Sequence, residues 1–392
     1  MLKLFCYMAT PGGMTGAPRR LLTLCGILRK NGCDAQIISF ADSQLLSAAK
    51  REGIPTRTTH LQSLLKLRHG ALLGGGFFFR LRVMGALLIQ NLRFACFVRR
   101  TKADVIWIRG AKGIVFAGLG TWLACRPIIW DVDYEVPSKG IAKWLHLLGL
   151  IIGHTIIFQY EGADENIFGV SRARMYKNKM HYLIPGIALE RLDEFRRNRL
   201  MQPRHRLFTI LQVGTICDRK NQMLTIQALG EVLNRERIPS FRVQFAGGVY
   251  EREYEKALIT EISKLGLESQ TEFLEWRQDV HQLMSEADLL VMPSKDEGIP
   301  NALQEAMYIG LPVIVSNKGG MPSVVDHDKT GWILKIDDSS RWAEQMIACI
   351  KNIEKCRAVG EAASRYAEAH FSKAEWGARY AEIVKMAASK KR

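Results

Sequence analysis

Between Glu52 and Asp104 the chain has no acidic residue, although nine lysines and arginines fall in the same interval. Other absences narrow the reading further. The eight cysteines (6, 25, 33, 96, 125, 217, 349 and 356) contain no Cys-x-x-Cys pair and have no paired histidines beside them. That excludes a zinc site or a disulfide framework and fits free thiols in a reducing compartment. The glycines after the first apolar run form neither a Gly-x-Gly-x-x-Gly fingerprint nor a Gly-Lys-Ser/Thr phosphate loop, because Pro18 and Arg19 follow. No helix-turn-helix, zinc-finger or RNA-binding signature accompanies the basic charge, so nucleic acid is not an expected partner. Short-period repeats and low-complexity tracts are also missing. Residues 1–8 lack a basic start and a long apolar core, which predicts a first strand rather than a signal peptide, and with it a cytosolic chain. The apolar run 145–158 is shorter than the roughly 20 residues a membrane span needs. It also contains His146, Gly149, Gly153 and His154, and reads as a helix followed by a buried strand.

What is present is an ordinary globular balance over 392 residues, 47% apolar and 24% charged, which suits two or three domains. The net charge of +16 is uneven: residues 1–200 carry 29 basic and 13 acidic side chains, and residues 201–392 carry 26 of each. One half alone is therefore expected to face a polyanion, whether nucleic acid, an anionic membrane or a phosphate-bearing acceptor. Within 61–100 the cations Lys66, Arg68, Arg80, Arg82, Arg93, Arg99 and Arg100 alternate with leucines and Phe77 to Phe79. This mixture suits an anionic leaflet, and predicts a peripheral protein acting on a lipid-linked or polymer acceptor.

Short β-like runs alternate with helical ones. In the first half the strands are expected at 2–7, 35–40, 104–108, 127–133, 155–158, 167–170 and 181–185, and the helices at 17–31, 43–51, 80–100, 113–124 and 172–179, with Ser171 as an N-cap. After a basic, Pro-containing stretch at 196–206, read as a linker, strands follow at 207–213, 242–246, 271–274, 288–292, 312–316 and 332–334. Helices are expected near 221–234, 251–265, 280–286 and 301–309. Such alternation predicts two α/β domains, each a doubly wound parallel sheet of Rossmann-like type, over 1–200 and 201–371, facing across a cleft.

The most informative segment runs from Ser294 to Met307. The apolar run 287–293 reads as a buried strand, Gly298 and Pro300 break it, and a helix follows until Gly310. Glu297 is thus placed on a loop and Glu305 one turn into the helix. Amides at Asn301, Ala302 and Leu303 would lie unpaired at the helix start, where phosphate is attracted. An acid beside a phosphate cradle suggests a sugar attached to a diphosphate.

The pattern Glu-Gly-x-Pro-Asn-x-x-x-Glu-Ala-Met over residues 297–307, followed by Gly310-Leu311-Pro312 and Gly319-Gly320-Met321-Pro322, resembles the donor-site signature of retaining glycosyltransferases of family 4. The resemblance is strong over about 205–335, weaker before it, and implies the two-domain GT-B fold. A C-terminal helix at 372–392 would cross back to the first domain, as Phe371-Ser372, Trp376 and Tyr380 match that element. It also implies which residues act. Gly214 to Asn221 is similar to the family's Gly-Arg-x-x-x-x-Lys-Gly/Asn motif, with Lys220 in register to stabilise a departing diphosphate. Thr215 stands where many members have arginine, so Arg219 takes over that charge or the diphosphate has one cation fewer.

The same resemblance puts Glu297 on the sugar ring and Glu305 on the ribose hydroxyls, with Gly298, Ile299, Pro300, Asn301, Ala302 and Leu303 around the donor. Gly247 is similar to the strand-turn facing the nucleotide, and 273–280 to the segment beside the base. Gly13 and Gly16 are similar to the family's Gly-Gly loop. Asp133 falls about where many members have a histidine near the transferred sugar, and either orients the acceptor hydroxyl or caps its loop; Ser323 replaces an acid. The implied function is transfer of a sugar from a nucleotide diphosphate to an acceptor hydroxyl, for a surface polysaccharide or glycolipid, with no metal or other cofactor. A same-fold nucleotide-sugar epimerase and a catalytically silent partner subunit remain as alternatives.

Overall fold

The computed structural model describes residues 1–9, 16–40, 43–61, 63–66, 76–132, 140–201, 207–235 and 238–389. Gly13, Asp133 and the stretch 202–206 lie outside them. The chain forms two compact units, Met1–Leu183 with Ala374–Arg392, and Ile184–Lys373.

The first unit holds seven strands: β1 (Leu2–Met8), β2 (Cys33–Phe40), β3 (Thr56–Thr59), β4 (Val105–Arg109), β5 (Ile128–Asp131), β6 (Thr155–Phe158) and β7 (Met180–Tyr182). They pair in the order β3-β2-β1-β4-β5-β6-β7, every neighbouring pair parallel. All residues of β4, β5 and β6 are buried, as their unbroken apolar runs require in a sheet covered on both faces. Helix Lys373–Ser389 completes this unit by burying Trp376, Tyr380, Ile383 and Val384 against Leu4, Cys6 and Ile27. Its contact is close at Gly377, where a Cβ would overlap the Ile27 side chain. Tyr380 then donates to Asp131 Oδ2 at 2.7 Å, and Arg109 Nη1 donates to the same oxygen at 3.0 Å.

Two expectations in this unit are corrected. The run 167–170 is not a strand: helices Ala163–Phe168 and Val170–Met175 occupy it, the first opened by Gly162 and the two set apart by Gly169, both at positive φ (86° and 84°). Gly169 is the N-cap of the second helix and Ser171 lies inside it. β3 was not anticipated, since Thr-Arg-Thr-Thr has no apolar residue to mark it; it forms an edge beside β2.

The second unit holds β8 (Phe208–Val213), β9 (Phe241–Ala246), β10 (Thr271–Phe273), β11 (Leu289–Met292), β12 (Val313–Ser316) and β13 (Trp332–Leu334). Their order is β10-β9-β8-β11-β12-β13, again with every pair parallel. Phe208, Ile210, Val243, Leu289 and Ile314 of these strands pack with Leu224, Leu229 and Trp342 from the helices. Helices Ser339–Lys351 and Ile353–His370, for which no element was expected, start where Asp338 and Asn352 accept from the backbone N–H three residues on.

The division falls at Leu183, not at residue 200. Residues 184–200 belong to the second unit: Tyr308 donates to Asp193 Oδ1 (2.6 Å), Arg199 Nε to Gly310 O (2.8 Å) and Gln304 Nε2 to Pro185 O (2.5 Å). Arg199, in the stretch read as a linker, is held by its bond to Gly310 O, and Arg196 Nη2 donates to Glu368 Oε2 at 3.1 Å. At the other end the first unit resumes at Ala374, because Ser372 bridges to Ile187.

Candidate functional site

In the second sheet β8 and β11 are neighbours, and the chain continues from β8 to one side and from β11 to the other. This is a topological switch point, where open α/β sheets leave a crevice beyond the carboxyl ends of the strands. The loops leaving these two strands are Gly214–Asn221 and Pro293–Pro300. A backbone hydrogen bond from Lys295 N to Arg219 O (2.9 Å) joins them.

The first loop is fixed from beneath. Gln212 Nε2 donates to Lys220 O at 2.9 Å, while Gln212 Oε1 accepts from Thr225 Oγ1 at 2.7 Å. Asn221, left-handed at φ 55°, ends the turn Asp218–Lys220 and sends its amide to Pro293 O (3.2 Å). Lys220 Nζ then lies 2.5 Å from Glu297 Oε1, and Arg219 Nη1 lies 3.4 Å from the same oxygen. Ser294 Oγ donates to Glu297 Oε2 at 3.1 Å. The Lys220 and Glu297 side chains are only 11% and 12% exposed, whereas Arg219 is 39% exposed. Two cations around one carboxylate leave a surplus of positive charge in a partly dehydrated place, which favours an anion.

Glycines permit this geometry. A Cβ at Gly319 (φ +62°) would overlap the carbonyl oxygen of Glu297, and Gly320 N donates to that oxygen at 2.8 Å. The Gly319-Gly320 turn therefore supports the Glu297 backbone directly. At Gly214 (φ +145°) a Cβ would come within 2.7 Å of Lys220 Cε, and at Gly247 it would overlap Gly214 O. Thr215 is exposed, with Oγ1 3.6 Å from Cys217 Sγ.

Helix Asn301–Ile309 begins after Pro300, which supplies no side-chain cap. Gly298 and Ile299 are buried before it; Asn301 and Ala302 are half-buried, and Leu303 is buried. One expectation is corrected here: the Leu303 N–H is not open but donates to Pro300 O at 3.2 Å. This bond spans three residues, the kind that tightens the first turn of a helix and engages an end amide. Glu305 faces His281, with Nε2 to Oε2 3.4 Å apart.

The structure thus brings Lys220, Arg219 and Glu297 together, sets Gly214 and Gly247 beneath them, and gives Glu305 a different partner. Gly16 opens helix Gly16–Lys30 in the first unit, where a Cβ would meet nothing within 4 Å. Residues not singled out from sequence include Ser294, Gln212 and His281. Ser294 carried a signal, being a small polar residue at the carboxyl end of a buried strand. Within 273–280, Glu275 is left-handed (φ 53°) and Trp276 is 64% exposed, with its Cβ 3.8 Å from a Cβ placed on Gly248. A non-glycine residue in that backbone region is uncommon outside turns and functional loops. A cavity of about 650 Å³ in the same unit is lined by Arg196, Arg199, Glu354, Arg357, Glu361 and Arg365 and shares no residue with the Lys220–Glu297 group.

Residues 199–366 match the family model described as glycosyl transferases group 1. Over 155 residues the chain is 32% identical to EpsD of Bacillus subtilis, named as a glycosyltransferase, covering 38% of this chain and 39% of that one. A UDP-Gal:alpha-D-GlcNAc-diphosphoundecaprenol alpha-1,3-galactosyltransferase of Escherichia coli is 25% identical over 64% of this chain and 67% of its own length. The chain thus spans about two fifths or less of the first curated relatives that it matches. Among solved structures, HepE of Anabaena in complex with UDP superposes with a TM-score of 0.78 at 19% identity, over 98% of this chain and all of that one. HepE in complex with UDP-glucose gives 0.76. The structural likeness shows that the fold is GT-B, and the family match covers the segment 199–366, which holds the Lys220–Glu297 site.

Proposed function

We propose that the chain is a retaining glycosyltransferase of family 4 that moves a sugar from a nucleotide diphosphate sugar to an acceptor hydroxyl. The observation that carries this reading is the pairing of Lys220 and Arg219 with Glu297 at the switch point, beside the start of helix Asn301–Ile309. In transfer, the bond from the sugar's anomeric carbon to the diphosphate breaks and its electron pair leaves on a phosphate oxygen. The acceptor oxygen forms the new bond and gives its proton to the departing phosphate oxygen. Lys220 and Arg219 would neutralise the departing oxygens, aided by the positive end of the helix dipole. Without donor, Glu297 holds both cations; a diphosphate replaces it as their partner and leaves the carboxylate to accept from sugar hydroxyls.

By the same reading Glu305 turns from His281 to the ribose hydroxyls, and Gly298 to Leu303 surround the diphosphate. Gly247 faces the nucleotide, Gly13 and Gly16 contribute a backbone loop, and Asp133 orients the acceptor. No divalent metal is called for, since the cationic side chains meet the phosphate charge. HepE, seen with UDP and UDP-glucose, supports a nucleotide-sugar donor, and the E. coli galactosyltransferase supports a lipid-linked acceptor. A role in surface polysaccharide or glycolipid assembly at the cytoplasmic face of a membrane follows.

The test is a screen of nucleotide sugars with candidate acceptors, read as nucleoside diphosphate release and by the mass and anomeric configuration of the product. Transfer should occur with retention and fall by about 10²–10³ in kcat in Lys220→Ala. Isomerised or free sugar formed without acceptor would favour the epimerase. No turnover of any nucleotide sugar would favour the silent partner.

A further inference from the structure

Helix Phe77–Thr101 is apolar on two faces, one buried and one exposed. One face packs inward through Val83, Ala86, Leu87, Phe94 and Val98. At about 100° per residue, Phe77, Leu81, Met84, Leu88 and Leu92 fall within roughly 80° of one another on the other side. All five are exposed, Phe77 by 73% and Leu88 by 52%. Arg82, Arg93 and Arg100 form a second stripe, within roughly 20° by the same geometry, and Phe78 (81% exposed) and Ile89 lie between the two stripes. A helix that exposes this much apolar surface in an orderly row marks an interaction surface.

The orientation of the helix is fixed. Asn91 accepts from Gly120 N at 2.8 Å through Oδ1, and its amide donates to Leu87 O (2.9 Å) and Val115 O (3.0 Å). Any Cβ at Gly120 would overlap Asn91 O, so this neighbouring helix approaches backbone to backbone. By length and hydropathy the helix could cross a bilayer, but Gln90 and Asn91 are buried on the side that is locked to the unit. Lipid can reach only the outer side.

We infer that Phe77–Thr101 is a peripheral docking element that lies in the headgroup layer of an anionic lipid surface, with its leucine face in the acyl boundary and its arginines on the phosphates. Charge selects this occupant. From residue 53 to residue 103 there is no carboxylate to repel lipid phosphate, and arginines border the apolar row. A second copy of the chain fits poorly, because a two-fold interface would set this arginine-bordered face against itself. The inference stands on the first unit alone and adds a membrane partner to the transfer reading, whose site is in the second.

The experiment is flotation of the full chain with vesicles of phosphatidylcholine, with and without phosphatidylglycerol. The chain should float with the anionic vesicles only, and added salt should weaken the binding. Two double variants, Leu81→Asp with Leu88→Asp and Arg82→Glu with Arg93→Glu, should each lower partitioning tenfold or more. A fluorophore on Leu88→Cys should move to a less polar environment with anionic vesicles only. Equal binding to both vesicle types, or to neither, overturns the inference. So does a concentration-dependent dimer that Leu88→Asp dissociates while vesicle binding is absent. UDP binding, followed in the same variants, separates the two readings: it should remain when vesicle binding is lost, and its absence in the parent chain would count against transfer and not against docking.

Discussion

Lys220 Nζ and Glu297 Oε1 meet at 2.5 Å although the residues are 77 positions apart in the chain. Each is about nine-tenths buried, so neither charge is well hydrated and each depends on the other. Truncating one leaves a poorly solvated charge behind. Lys220→Ala is expected to cost about 2–3 kcal/mol of stability, somewhat less than a fully buried pair would lose. The double variant Lys220→Met with Glu297→Gln should recover most of it, as urea denaturation of the three proteins will show. Turnover with the matching nucleotide sugar should fall by about 10²–10³ in kcat in the single variant, in line with removal of one charge-stabilising group.

Gly319 and Gly266 form a natural comparison, because both are left-handed, at φ 62° and 67°. Around Gly266 there is nothing within 4 Å of a Cβ, so Gly266→Ala should cost only the backbone strain, about 1 kcal/mol. A Cβ on Gly319 would overlap the Glu297 backbone. Gly319→Ala should therefore cost about 3 kcal/mol and weaken UDP binding, while Gly266→Ala leaves UDP binding unchanged. Thermal melts with and without UDP check both expectations.

Tyr380 ties the C-terminal helix to the first sheet through Asp131. Burial, reinforced by the Asp131 carboxylate, holds its phenol well above the usual value of 10.0. Because the folded value exceeds the unfolded one, the resulting stability is complete below about pH 10 and is lost as pH rises toward the folded value. Tyr380→Phe should cost about 2 kcal/mol at neutral pH, since it removes a hydrogen bond to a buried charge. Its stability should also fall less steeply than that of the parent between about pH 9 and 11, which denaturant midpoints measured across that range will reveal.

The cations at the site carry a prediction about metal. If Lys220 and Arg219 meet the diphosphate charge, extensive dialysis against EDTA should leave turnover within about twofold of the untreated rate, and added Mg²⁺ should not raise it further. A tenfold loss restored by Mg²⁺ would assign part of that charge to a divalent ion.

Much of the fold could be read from the chain because parallel strands covered on both faces are continuous apolar runs, as in β4, β6 and β11. Pro300 and Gly310 bracket helix Asn301–Ile309 in sequence as they do in space. Failures came where that rule gives no information. Ile167-Phe168-Gly169-Val170 is a short apolar run that fits a strand or a buried helix equally well, and two glycines at positive φ decide it. Thr56–Thr59 carries no apolar signal at all. At the site, the presence of Lys220 and Glu297 was evident from motif spacing, but their contact depends on β8 lying beside β11. The pairing of Glu305 with His281 depends likewise on packing between helices, which no local pattern encodes.

The central claim, that a nucleoside diphosphate binds at this switch point, is tested most directly by a crystal of the chain grown with UDP or GDP. The account predicts diphosphate density within hydrogen-bonding distance of Lys220 Nζ and the amino end of helix Asn301–Ile309, with the Lys220–Glu297 pair opened. Density at any other place in the chain, with that pair still closed, would contradict it.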